Sequence, residues 1–120
     1  MKYINRVELL GVVGKRIRIN TVNEVNVATF TLVTDRLFLN KENGGVEVAN
    51  HTVVVWDNDG IWDFSKIEEG AIVHVTGHIK YHNYIGDDGL KRRATEIMAS
   101  TFQVLGKKDD DKEEEAVAQM

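Results

Sequence analysis

Four residues at alternate positions, His78, Lys80, His82 and Tyr84, bear the side chains with the most to offer chemically in this 120-residue chain. Residues 72–84 alternate as a strand, and strand side chains repeat with a period of two, so these four share one face. Tyrosine and histidine supply flat rings, and lysine supplies positive charge. Beyond the turn Gly86-Asp-Asp-Gly89, the next segment opens on a second basic cluster, Lys91-Arg-Arg93. Rings that stack on planar groups, interleaved with charge that follows phosphates, suit a single-stranded nucleic acid. The same pattern also suits a solvated hairpin whose aromatics cover neighbouring strands.

Catalytic and metal chemistry do not assemble as well. Histidines stand at 51, 74, 78 and 82. Positions four apart on a strand are ~13 Å from each other, too far to share one ion. No carboxylate pair and no Ser-His-Asp arrangement can be recognised. Gly11-Val-Val-Gly14 lacks the helix and lysine of a phosphate-binding loop. The chain has no cysteine, which rules out disulfides, thiolate metal sites and cysteine nucleophiles. The expectation is a binding protein with no catalytic residues, no metal and no cofactor.

Three aromatics are candidates for stacking. Phe38 sits in the apolar tip Leu37-Phe-Leu39 of a polar segment, Trp56 ends a strand pattern beside a polar turn, and Tyr84 closes the basic arm. Trp62 and Phe64 have apolar neighbours and read as packing. Phe30 and Phe102 alternate with small or polar residues and read as core. The candidate phosphate contacts are Lys80, Arg92 and Arg93, then Lys15, Arg16 and Arg18, with His78 and His82 lining the groove.

Net charge is −4, but its distribution matters more than its sum. Residues 107–120 hold three bases and six acids, leaving 12 bases and 13 acids in residues 1–106. A body so close to neutral can carry a basic groove on one side. The charge run has no aromatic residue and is expected to stay solvated, so the domain is placed at 1–106 and an acidic tail at 107–120.

These residues must be positioned by strands, because β-branched residues dominate and proline is absent. Val7 to Ile19 reads as one long strand, bending near Gly11 and Gly14, and residues 20–26 as a turn. A second strand covers Val27 to Thr34, Arg36 to Gly45 is a loop, and a third strand runs from Val46 to Trp56. Ile61 to Glu69 is the one helical candidate, with Ile61, Phe64 and Trp62 as its inward-facing candidates and Gly70 closing it. Strands from Ile72 to Tyr84 and from Lys91 to Leu105 complete the chain. Five strands with one short helix between the third and fourth is the layout of an all-β OB-fold barrel, whose exposed face and loops bind oligonucleotides or oligosaccharides.

Six segments, in order, resemble the bacterial single-stranded DNA-binding proteins across residues 4–106. They are Asn5 to Gly14, Ala28 to Thr34, His51 to Trp56, the thirteen-residue interval before Gly70, Ile72 to Gly77, and Thr95-Glu-Ile97. The resemblance implies non-specific binding and protection of single-stranded DNA in replication, recombination and repair. It places the family's stacking aromatics on Phe38, Trp56 and Tyr84, and puts Asn50 where a fourth, a tryptophan, would stand. It implies homotetramers in which Glu8 to Val12 pair across subunits.

The family's acidic tail usually closes on a hydrophobic, proline and phenylalanine tip that replication and repair partners grip. Here the last residues are Ala-Val-Ala-Gln-Met120, so tail-dependent partner recruitment is not expected. The N-terminal residues lack the apolar run of a signal peptide and no segment is suited to span a bilayer, which places the protein in the cytoplasm, with the nucleoid, and away from membranes. Two other readings fit the same layout. One is an accessory OB-fold, either a primosome component or an RNA-binding module that discriminates by the 2′-hydroxyl. The other is a protein-interaction domain.

Overall fold

The computed structural model describes residues 3–39 and 44–108, with the backbone alone for residues 38 and 39. Five strands, β1 (Val7–Val22), β2 (Val25–Leu39), β3 (Gly44–Trp56), β4 (Ala71–Ile85) and β5 (Lys91–Lys107), form a closed barrel in the order β1-β2-β3-β5-β4. This is the OB-fold expected from the sequence. All pairings are antiparallel except β3 with β5. No helix among the described residues is long and apolar enough to cross a membrane.

The core follows from alternation. Ala28, Phe30 and Leu32 of β2 point inward with Val53 and Val55 of β3 and Val73 and Val75 of β4, all essentially sealed from solvent. Each Val, Leu or Phe side chain buried in this way contributes about 1.5–3 kcal/mol. Phe64 and Trp62 close one end of the barrel against Phe102, with ring centroids 5.7 and 5.0 Å away. The assignments of Phe30, Phe102, Phe64 and Trp62 to packing hold.

A barrel closes because β1 serves two partners. Residues Val7 to Val12 pair with β4, whereas Val12 to Val22 pair with β2, and a bulge between Val13 and Ile17 turns the strand from one to the other. A second bulge, in which Ser100 of β5 is the extra residue opposite the Thr76–Gly77 step of β4, lets β5 bend around the barrel. A Cβ built on Gly77 would stand 2.0 Å from the Met98 carbonyl oxygen, so only glycine fits there.

The structure differs from the sequence reading in three places. The turn expected over 20–26 shrinks to Asn23 and Glu24, both at positive φ (50° and 68°), because Val22 still pairs with Val25. Of the loop expected over 36–45, the described residues 36–39 and 44–45 are strand, with Leu37 opposite Val46 and Arg36 bonded to Glu47 at 3.5 Å. Pairing with a β-branched neighbour extends a segment whose own sequence does not demand it. Phe38 therefore sits on strand backbone opposite Gly45, and its side chain lies outside the described residues.

The third difference is the helix, which contracts to one 3-10 turn, Phe64–Lys66. The Asp57 carboxylate accepts from the Ile61 and Trp62 N–H groups, at 2.8 and 3.1 Å, and Asp63 accepts from Ser65 at 2.9 Å. Such side-chain bonds compete with the i→i−4 ladder, and so short a segment cannot pay for a helix nucleus by itself. Ile61 is consequently exposed rather than inward, and Ile67 takes the buried place.

Candidate nucleic-acid interface

One row of outward residues crosses the whole sheet. Arg18 of β1 stands opposite Thr29 of β2, Thr29 opposite Val54 of β3, Val54 beside Met98 of β5, and Met98 opposite His78 of β4. Core-facing residues have the other parity in β2, β3 and β4, and in β5 up to Ala99, so this row and its alternate neighbours face outward there, with Val54 nearly covered by its surroundings. Trp56 lies on this surface two residues beyond Val54, half-buried beside Val27. Lys80, His82 and Tyr84 extend the surface past His78, and all four residues are exposed. The face proposed from their spacing exists.

Charge gathers at the β1 end. The bulge brings Lys15 and Arg16 out beside Arg18, and the three line an open concavity of about 440 Å³ floored by Thr29, Thr31 and Thr52. Lys15 and Arg16 also border a neighbouring hollow with Asn50. Small hydroxyl side chains keep this floor low, so a polymer backbone can approach the sheet closely. No acid lines either hollow. Sequence reasoning missed the threonines and Met98, which in sequence resemble any alternating strand residue.

Beyond the barrel, β4 and β5 continue as a two-stranded arm that reaches Ile85 and Lys91. Gly89, at φ +80°, makes the turn between them, and the Leu90 carbonyl accepts from the Gly86 N–H at 2.9 Å. Asp88 accepts from the Leu90 N–H at 3.1 Å and from Arg92. These two donors, in that order, hold its carboxyl below the usual aspartate range. Arg92 is thus tethered to a carboxylate, and His82 bonds Glu96 at 3.0 Å.

Arg92 and Arg93 part company. Arg92 stands opposite Tyr84 on the outer face. Arg93 has the parity of buried Ile97, so it points to the arm's other face, where its guanidinium carbon lies 4.7 Å over the Tyr81 ring. Trp56 and Tyr84 are also far apart. One lies two residues past Val54 and the other six past His78, in opposite directions, which separates them by roughly 26 Å of strand. The histidines are dispersed as well: His51 bonds Thr34 and His74 bonds Glu8, both at 2.9 Å.

A closed five-stranded barrel with a basic, aromatic-bearing outer sheet defines a protein of the oligonucleotide-binding class. The model of the single-strand binding protein family matches residues 4–105, and the chain belongs to that family. It is 32% identical over 108 residues to single-stranded DNA-binding protein 1 of Streptococcus pyogenes, covering 89% of this chain and 82% of that one. It is 34% identical over 103 residues to the single-stranded DNA-binding protein of Bacillus cereus, covering 85% of this chain and 60% of that one.

A second Streptococcus pyogenes single-stranded DNA-binding protein is 36% identical, and the chain spans 63% of its length. The fold is that of a Plasmodium falciparum SSB solved in complex with single-stranded DNA. The TM-score is 0.76 at 24% identity, over 88% of this chain and 97% of that one. A Thermus aquaticus single-stranded DNA-binding protein, in a deletion mutant, matches with a TM-score of 0.71 at 19% identity, over 85% of this chain and 50% of that one.

Proposed function

We propose that this protein binds single-stranded DNA without reading its sequence, and by binding protects it during replication, recombination and repair. Bases stack on Trp56, Tyr84 and Phe38, while Lys15, Arg16, Arg18, Lys80 and Arg92 neutralise phosphates, with His78 and His82 along the groove. The observation that carries this reading is the row of paired residues from Arg18 to His78 across all five strands, with cations at the β1 end, a tryptophan on one side and a tyrosine-bearing arm on the other. Sequence-independent affinity of this kind rests on stacking and charge. The names of its relatives, and the strand bound to the Plasmodium protein, support the same choice of ligand.

The binding body is residues 1–106 and the acidic tail is 107–120, although β5 itself continues to Lys107. Four copies assemble through β1. Residues 7–10 pair only with β4, so among the described residues their second edge has no strand beside it, and Leu10 there is exposed. The protein works in the cytoplasm, on the nucleoid.

Tryptophan-fluorescence titration with dT, RNA and duplex oligomers at two salt concentrations tests this. Trp56 emission falls on adding dT oligomers, binding weakens with salt, and duplex competes poorly. Preference for RNA would move the protein to the RNA-binding class, and no response to any of the three would leave a protein-interaction domain.

A further inference from the structure

The arm has a second face that the proposed groove does not use. Tyr81, Asn83 and Ile85 of β4 lie there opposite Thr95, Arg93 and Lys91 of β5. In the barrel this parity is buried, as at Val75 and Ile97, but past Ile79 there is no barrel left to cover it. Tyr81 is 53% exposed and Ile85 70%. Two cations, Lys91 and Arg93, have no carboxylate partner among the described residues, and this face of the arm presents no acid. On the outer face, by contrast, Arg92 is held by Asp88 and His82 by Glu96.

We propose that the Tyr81–Arg93 pair is a second stacking site for single-stranded nucleic acid, so that the strand passes around the arm rather than along one side of it. The inference rests on the function proposed above. Arg93 lies over the Tyr81 ring at 4.7 Å, which holds a planar cation against the sheet. Bases stack on guanidinium planes as well as on aromatic rings, and the same group carries charge for the adjoining phosphate. The surplus positive charge selects an anionic polymer as occupant over an apolar one, and Arg92 and Arg93, adjacent in sequence, place a cation on each side of the arm for it to follow.

The test uses the full chain and dT oligomers carrying 5-iodouracil, irradiated and mapped by peptide mass spectrometry. Adducts are expected on Tyr81 as well as on Trp56 and Tyr84, and R93Q lowers the Tyr81 yield several-fold while Trp56 is unchanged. Adducts on Trp56 and Tyr84 with none on Tyr81 overturn this inference and leave the groove standing, whereas none on any of the three overturns the groove itself. In equilibrium binding, Tyr81→Leu weakens affinity for a long dT oligomer by about fivefold to a hundredfold, the effect of losing one base–aromatic stack. Arg93→Lys retains the salt slope yet loses most of the affinity that R93Q loses, because the plane and not the charge is removed. A change in assembly mass on Tyr81→Leu, measured by sedimentation, would make this face a contact between copies of the chain and overturn the proposal.

Discussion

Val54 and Met98 stand side by side at the one parallel pairing among the described strands, and this contact joins the two halves of the outer face. On one side of it lie β1, β2 and β3 with Lys15, Arg16, Arg18 and Trp56. On the other lie β4 and β5 with Lys80, Tyr84 and Arg92. Neither half has both abundant charge and well-spaced rings, and the pair makes them one surface.

Stacking is tested by substitution at the rings. Trp56→Leu and Tyr84→Leu each weaken binding to dT oligomers by about 1–3 kcal/mol. Melting temperature changes little for Tyr84, which is exposed on the arm, and somewhat more for Trp56, which is half-buried beside Val27. Unaltered affinity in both variants would assign these rings to packing.

The cations are expected to rank by their freedom. Log affinity falls with log salt at about −0.7 per neutralised phosphate for a single strand. Arg16→Gln and Arg18→Gln each make that slope shallower by about one contact, because both line the acid-free hollow. Arg92→Gln changes it less, since Arg92 is already bonded to Asp88. Equal slopes in all three variants would show that the β1 hollow does not track phosphates.

Gly77→Ala is a stability prediction. Its Cβ would press 2.0 Å from the Met98 carbonyl oxygen, where β4 and β5 meet at the bulge, and backbone cannot yield as a side chain can. Overpacking of this kind costs about 1–3 kcal/mol. Urea unfolding reads the loss directly, and an unchanged midpoint would mean that the bulge relaxes freely.

The tail is tested by truncation after Lys108 rather than Gly106, because Lys107 pairs with Ala71 and bonds Glu68 at 3.3 Å. Residues 109–120 hold six acids and one base, so removal changes the charge by +5 per copy. DNA affinity rises at low salt, and the gain shrinks as the Debye length falls from ~30 Å at 0.01 M to ~8 Å at physiological salt. No gain at low salt would mean that the tail does not screen the groove.

Much of the barrel is legible in the chain. The β-branched runs and their turns mark five strands, and the period of two assigns Phe30, Phe102 and the face of His78 to Tyr84. The same period separates Arg92 from Arg93, though adjacent residues in a basic cluster invite being read together. The strand segment around Phe38 is less legible, because it depends on Val46 and Val48 across the hairpin. The helix is misread for a related reason. Its apolar residues have plausible spacing, but Asp57 and Asp63 take the N–H groups that a helix would use.

Alternation is fixed by the covalent geometry of an extended chain, so the sequence by itself determined which side chains share a face within one strand. Which strands lie beside one another depends on closure, because a barrel leaves no edge exposed only when β1 bends at its bulge and β5 turns to meet β3. That closure brings Met98 to Val54, lifts Lys15 and Arg16 beside Arg18, and leaves Tyr81 uncovered where the barrel ends. These are contacts between residues distant in the chain, set by burying one shared core, and only the tertiary structure decided them.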